Sequence, residues 1–392
     1  MSRFDVAVIG AGAAGMMAAA EAGKRGRRVL VVDHAGAPGE KIRISGGGRC
    51  NFTNSGTTAA NFISANPRFA ISALSRYRPG DFVALVERYR ISWHEKRLGQ
   101  LFCDGSARQI VDMMLAEMAI GGVTLRLSTP VAGVEHGPDG FRLALPGGPV
   151  EARALVVATG GLSIPKMGAS DFGYRIARQF GLPVVATRPG LVPLTFEPGL
   201  LEKTAPLAGI AVDSITASGK VSFEEALLFT HRGLSGPAIL QISSYWHEGE
   251  TVLIAMLPGI DVPAALKAGR AANGRQAVAT LLGEHLPRRL AQFVAREAGA
   301  PPNLGDCGDK VLKAIDTAVN GWAVRPNGSE GYRTAEVTLG GVDTAALDSR
   351  SLAAKAVPGL YFVGEVVDVT GWLGGYNFQW AWASGWSAGQ AV

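Results

Sequence analysis

Cysteine is scarce in this chain of 392 residues: there are three, Cys50, Cys103 and Cys307, with no Cys-x-x-Cys pair and no His–Cys spacing. That scarcity excludes a disulfide framework and gives no basis for structural zinc, so no metal is expected and the expected compartment is the reducing cytoplasm. Long hydrophobic runs are missing as well, and with them any expectation of a membrane segment. The apolar N-terminal stretch is interrupted by Asp5 and Glu21, which argues against a signal peptide. Charge is sparse at 18% while apolar residues reach 47%, outside the composition of disordered chains. The net charge of +5 permits a polyanionic partner but is also ordinary for a soluble enzyme. No repeat of solenoid or propeller type is present, and nothing in the sequence implies a stable protein partner. Glycine, in contrast, is abundant at 52 residues, gathered in short blocks without a fixed period. At this length two or three structural units are expected, one inserted in another.

Phe4–Ile9 reads as a short buried strand, followed at once by Gly10-Ala11-Gly12-Ala13-Ala14-Gly15 and an Ala-rich helical stretch to about Lys24. Arg28–Val32 is a second apolar strand, closed by Asp33, which completes a βαβ unit. Helices are expected over Pro79–Arg90 and Gln109–Ala119. Strands are expected over Leu125–Val134, Phe141–Leu145 and Val150–Ala158, with a hairpin turn at Pro138-Asp139-Gly140. After Gly181 the texture changes. Residues 187–260 carry short β-type runs and residues 261–320 are Ala/Leu/Arg-rich and helical, before short strands return from Arg333 and an apolar helix begins at about Phe378. The Trp-rich tail, Trp372, Trp380, Trp382 and Trp386, at helical spacing, reads as core rather than as an aromatic cage.

Four glycine-rich blocks carry the chemistry. In the first, Gly10 permits a tight turn, Gly12 lets the main chain approach a pyrophosphate beside Ala11 and Ala14, and Gly15 allows close helix packing, while Asp33 can hold a ribose hydroxyl. Strand, glycine spacing, helix and acid together point to a dinucleotide. The second block, Ser45-Gly46-Gly47-Gly48-Arg49-Cys50-Asn51 with Lys41 ahead of it, reads as main chain running against a planar ligand with two cations for its anionic groups, or else as a flexible surface loop. The third, Ala158-Thr159-Gly160-Gly161, closes a strand after a hairpin excursion, as in two-strand FAD-binding folds; Val131 is counted with the same cofactor contacts. The fourth runs from Gly364-Glu365, with Asp368, to Gly374-Gly375-Tyr376-Asn377-Phe378-Gln379. A Gly-Glu strand end with a nearby Asp suits a ribityl chain, and a Gly turn opening a helix can aim N–H groups at the flavin O2 and N1, favouring the anionic reduced form. The dinucleotide is therefore FAD.

These blocks, together with Thr230-His231-Arg232-Gly233-Leu234-Ser235-Gly236-Pro237, resemble the BaiN/RdsA-like (YhiN-like) flavoprotein family over essentially the whole chain. The resemblance implies an α/β fold: a two-part FAD-binding domain of Rossmann-like, glutathione-reductase type, interrupted by an inserted β-rich domain and a small helical one. The expected boundaries are 1–186 and 333–392 for the FAD domain, 187–260 for the β-rich insert and 261–332 for the helical insert. It also implies an NAD(P)H-dependent reductase acting on a C=C bond, in a small molecule such as a steroid-type enone or in a uridine base of ribosomal RNA; a non-catalytic flavin-binding protein is the third reading. The chain departs from the family pattern at Gly39-Glu40 and at Gly99-Gln100-Leu101-Phe102-Cys103, which bears on the substrate. There is no second Gly-x-Gly-x-x-Gly, so NAD(P)H is expected to bind transiently. Candidate catalytic groups are His231 as general acid or a structural loop histidine, Tyr376 as proton donor or packing group, and Cys50 as redox thiol or inert packed thiol.

Overall fold

A computed structural model of the chain describes residues 2–392. It divides into two compact units, one formed by Met1–Pro189 with Val337–Val392 and the other by Gly190–Glu336.

The first unit is organised by a mixed sheet. Strand Ser2–Ile9 pairs in parallel with Val29–Val32 on one side and with Val150–Val157 on the other, and Val29–Val32 pairs in turn with Thr124–Arg126. The far edge of Val150–Val157 is shared: residues Val150–Ala152 pair antiparallel with the hairpin strand Gly140–Ala144, whereas Leu155–Val157 pair in parallel with Leu360–Phe362. A strand from near the C-terminus thus completes a sheet begun at the N-terminus. The central strands are buried on both faces, which is why they read as continuous apolar runs. Helix Ala13–Lys24 packs against the last helix, Tyr376–Gly389, through small residues: a Cβ added at Gly385 would stand 2.4 Å from the Ala14 carbonyl oxygen, and one at Gly389 2.6 Å from Glu21 Cβ. Trp380 and Trp382 of the last helix are fully buried, while Trp372 and Trp386 are half-buried.

The sequence expectation of one strand over Leu125–Val134 is corrected. The segment forms two strands that belong to opposite edges of the sheet, Thr124–Arg126 beside Val29–Val32 and Gly133–Gly137 in the hairpin with Gly140–Ala144. Pro130 stands in the connection, where its missing N–H cannot serve a ladder.

The second unit holds a seven-stranded antiparallel sheet in the order Trp322–Val324, Val252–Ala255, Ala211–Ser218, Val221–Phe229, Gly233–Ser235, Leu194–Thr195, Gly328–Ser329. Four helices, Val262–Ala272, Val278–Leu282, Arg288–Glu297 and Asp309–Asn320, follow Val252–Ala255 in the chain. No helix among the described residues is long and apolar enough to cross a membrane.

Candidate functional site

The turn between the first strand and first helix separates three glycines by what surrounds them. A Cβ at Gly10, whose φ is +110°, would lie 2.4 Å from the Ala158 carbonyl oxygen, and one at Gly15 would lie 1.9 Å from the carbonyl oxygen of Gly10. Both are required by protein packing. Gly12 meets nothing within 4 Å and its backbone is extended, with φ −81°. It caps helix Ala13–Lys24, and with no side chain it leaves the first-turn N–H groups uncapped at the positive end of the helix dipole. Packing therefore does not require glycine at position 12, and the helix N-terminus beside it offers main-chain donors of the kind that bind phosphate.

Asp33 stands at the end of the second strand. Its carboxylate accepts from Ala11 N at 2.6 Å and from Ala35 N at 2.8 Å, which fastens the glycine turn to the strand end. Thr129 N donates to the Asp33 carbonyl at 2.8 Å, and this brings the loop carrying half-buried Val131 to the same strand end. Ala158 N donates to Ile9 O at 2.9 Å, so Ala158–Gly161 runs directly beside Gly10.

A second cluster gathers around Glu365. One carboxylate oxygen accepts from Lys41 Nζ at 2.6 Å; the other accepts from Ser163 Oγ and from Thr338 N, both at 3.0 Å. Lys41 also donates to Ser163 Oγ at 2.6 Å. Gly364, with φ +73°, lets the chain pass Ala14 of the first helix, its N–H donating to Ser384 Oγ and its carbonyl accepting from Trp380 Nε1, each at 3.0 Å. Asp368 is buried and accepts from Ala65 N at 2.8 Å; burial pushes its carboxyl above the ordinary value.

The last block is a rigid turn. Asn377 Oδ1 accepts from Gly371 N and its Nδ2 donates to Gly371 O, both at 2.8 Å. Gly374 and Gly375 have φ of +111° and +96°, and a Cβ at Gly375 would lie 2.4 Å from Thr53 O. In the amide orientation that satisfies both its ends, Asn51 accepts from Gly375 N at 3.1 Å and donates to Thr53 O. Gln379 is buried, accepting from Thr53 Oγ1 at 2.6 Å and donating to Tyr77 O at 2.8 Å. Tyr376, buried, opens the helix with its ring edge-on to Phe62 and Trp372.

The segment Ser45–Asn51 is bent by left-handed residues at Gly46, Gly47, Gly48 and Cys50. Ser45 O accepts from Cys50 N at 3.0 Å, Gly46 packs on the Phe102 ring, and Arg49 is exposed. Cys50 is fully buried, and burial pushes its thiol far above the ordinary range, so it stays protonated. His231 lies in the second unit, exposed, in the turn between Val221–Phe229 and Gly233–Ser235, where Thr230 Oγ1 accepts from Arg232 N and Gly233 N. Every other candidate lies in the first unit. No group of His, Cys, Asp and Glu among the described residues could hold a metal ion.

Sequence reasoning missed Thr338. Buried in strand Val337–Val342, it accepts through Oγ1 from Leu162 N at 2.8 Å and Ser163 N at 3.2 Å and donates its own N–H to Glu365. The one available signal was a hydroxyl in an otherwise apolar run.

Comparison with known proteins agrees with this geometry. Residues 4–391 match the model of the HI0933-like protein Rossmann domain. The chain is 54% identical, over all of its length and 98% of the relative's, to the ribosomal RNA dihydrouridine synthase of Escherichia coli. It is 26% identical to the 3-dehydro-bile acid delta(4,6)-reductase of Clostridium scindens, over 99% of this chain and 98% of that one. Among solved structures, the 3-ketosteroid-delta4-(5alpha)-dehydrogenase of Rhodococcus jostii RHA1 shares the fold, with a TM-score of 0.50 and 15% identity over 99% of this chain and 97% of that one. The chain belongs to the HI0933-like family, the one its glycine blocks resemble, and is an FAD-dependent oxidoreductase.

Proposed function

We propose that this protein reduces the C5=C6 bond of a uridine in ribosomal RNA, in the cytoplasm, with NAD(P)H as a transient hydride donor. The observation that carries the reading is the 54% identity, over all of this chain and 98% of the relative, to a ribosomal RNA dihydrouridine synthase. The distant relative named a delta(4,6)-reductase supports the same bond chemistry, since uridine C5=C6 is conjugated to a carbonyl as an enone is. Bound FAD would supply the two-electron step, taking hydride from the nicotinamide and giving it to one carbon of the uracil double bond.

The chain's own residues divide the remaining work. The N-terminus of Ala13–Lys24, with Gly12, would hold the pyrophosphate, and Asp33 the adenosine ribose. Glu365, fixed by Lys41, Ser163 and Thr338, would meet the ribityl hydroxyls as an acceptor. The Gly375 N–H being held by Asn51, the N-terminus of helix Tyr376–Gly389 would turn the positive end of its dipole to the pyrimidine edge of the flavin, where negative charge gathers on reduction. The proton that completes the reduction is assigned first to His231 and second to Tyr376. Cys50, buried and protonated, ranks third.

The test is direct. The FAD-loaded protein is incubated with ribosomal RNA transcribed in vitro and with NADH or NADPH, and nucleosides are analysed by mass spectrometry. Dihydrouridine formed at a defined position is the expected result. Reduced protein that is reoxidised by small enones and leaves the RNA unchanged would overturn the reading.

A further inference from the structure

An exposed leucine stands in a strained conformation beside the Gly374–Gly375 turn. Leu98 is 65% exposed and has φ +54° and ψ +37°, the left-handed region that a side chain disfavours. Such strain persists only where the surroundings enforce it. Here they do: the buried amide of Asn54 donates to the Leu98 carbonyl at 3.0 Å, Ser55 N donates to Gly99 O at 2.8 Å, and Lys96 N donates to Gln100 O at 2.8 Å. The same Asn54 Nδ2 donates to the Gly374 carbonyl at 2.9 Å, so one side chain ties the leucine-bearing tip to the turn assigned to the flavin.

The tip carries two exposed cations, Lys96 and Arg97, next to exposed Glu95. Residues 40–110 contain eleven Lys and Arg against five Asp and Glu, a net +6, while the rest of the chain sums to −1. Among the described residues Arg49, Lys96 and Arg97, all exposed, are in no ion pair. The Lys96 ammonium lies over the Phe102 ring, 5.3 Å from its centroid, which fixes its direction. A rigid, exposed apolar side chain flanked by available cations is the complement of a stacked, phosphate-bearing polymer.

We infer that the tip Lys96–Leu98 is a wedge for structured RNA: Leu98 enters the base stack at the gap left when the target uridine turns out, while Lys96 and Arg97 hold the flanking phosphates. The inference rests on the reading that the substrate is RNA. Its chemical reason is that hydride must reach a uracil carbon from above the ring, and in a stacked helix both faces are covered by neighbouring bases. The base therefore leaves the stack, and a side chain that fills the gap offsets the lost stacking. A leucine cannot hydrogen-bond a base edge, so it supports extrusion without reading sequence; selection of the uridine lies elsewhere.

The experiment compares Leu98→Ala, Leu98→Met and the parent enzyme, all FAD-loaded, for dihydrouridine formation on two probes. One is ribosomal RNA transcribed in vitro and folded; the other is a short unstructured oligonucleotide carrying the uridine that the parent modifies. FAD content and melting temperature verify folding, and fluorescence of a 2-aminopurine beside that uridine in a duplex, read with oxidised enzyme, reports unstacking without turnover. The expectation for Leu98→Ala is a loss of about tenfold or more on folded RNA relative to the oligonucleotide, a lost fluorescence rise, and recovery of both in Leu98→Met. Equal rates for all three proteins on folded RNA, or an equal loss on both probes, would overturn the wedge while leaving the RNA reading intact. An effect seen with ribosomal particles and not with naked RNA would assign the tip to a protein contact and overturn it too. If the parent forms no dihydrouridine in any RNA, the RNA reading fails and the wedge with it.

Discussion

Replacing Gly12 and Gly15 separately should divide cofactor binding from folding. In Gly15→Ala the new Cβ falls 1.9 Å from the Gly10 carbonyl oxygen, with Ala158 Cβ at 3.1 Å behind it, whereas real Cβ contacts essentially never fall below 3.0 Å. Main chain must move by about an ångström, an overpacking cost of about 1–3 kcal/mol. At about 2–4 °C per kcal/mol for a unit of this size, the apoprotein should melt several degrees lower. In Gly12→Val the Cβ meets nothing within 4 Å and φ of −81° is open to any residue. The lost N-cap preference of glycine and the stiffened unfolded chain are each below about 1 kcal/mol and oppose one another, so the apoprotein should melt almost unchanged. FAD is a different matter. If valine displaces the pyrophosphate from two N–H groups, each charge-assisted hydrogen bond lost is worth about 1.5–3 kcal/mol, a weakening of roughly 10² to 10⁴-fold. The assays are scanning calorimetry of both apoproteins and chromatography of the cofactor released by heat, which should be FAD and not FMN. Retention of one FAD per chain by Gly12→Val, or an apoprotein destabilised as much as Gly15→Ala, would refute the assignment of that space to the cofactor.

His231→Ala should leave flavin reduction by NAD(P)H nearly intact and slow reoxidation by substrate by about 10² to 10⁴-fold, the usual loss of a general acid; stopped-flow absorbance separates the half-reactions, and equal slowing of both would make the residue a positioning one. Glu117 is buried and accepts from Lys24, from Arg88 at 2.8 Å and from Tyr89 OH at 2.6 Å. Burial alone would raise its carboxyl, but the hydrogen bonds from Lys24 and Tyr89 outweigh it and hold the group below its ordinary value. Glu117→Ala should therefore cost about 3 kcal/mol, the low end for a broken buried pair because Arg88 can turn to water. A depressed carboxyl contributes stability above the unfolded pKa of about 4.3 and loses it as pH falls through the native value, so the melting difference should hold from neutral to about pH 5 and shrink below. Gln379→Leu should cost about 2 kcal/mol in thermal unfolding, because Thr53 Oγ1 and Tyr77 O lose their partner inside the core.

The first βαβ unit was legible because its signals are local: apolar runs, glycine spacing and Asp33 lie within one stretch of chain. Leu125–Val134 was not, since an apolar run carries no mark of which sheet edge each half will join. The roles around Glu365 were half legible. Gly-Glu announced itself, but Thr338 gains its importance from Leu162, Ser163, Glu365 and Thr370, partners scattered along the chain. Asn377 and Gln379 were read toward the cofactor, and the structure shows where their amides go: to Gly371, Thr53 and Tyr77. Residue type suggested polar work at these positions; only three-dimensional pairing says on what.

The packing of the last helix against the first has a consequence for biosynthesis. Gly385 and Gly389 seat Tyr376–Gly389 on Ala13–Lys24, and Arg27 Nε donates to the Val392 carbonyl at 3.1 Å. A nascent chain folds from its N-terminus as it emerges, yet the partner of helix Ala13–Lys24 is Tyr376–Gly389, made about 350 residues later. Until that helix leaves the exit tunnel, the face of Ala13–Lys24 that Gly385 and Gly389 pack against stays uncovered, and the turn at Gly374–Gly375 does not exist. On the proposed binding mode, FAD is held only once this segment has been made, and a product ended by a premature stop before Tyr376 should not keep it. Retained colour would then report that Tyr376–Gly389 is present and docked on the first helix.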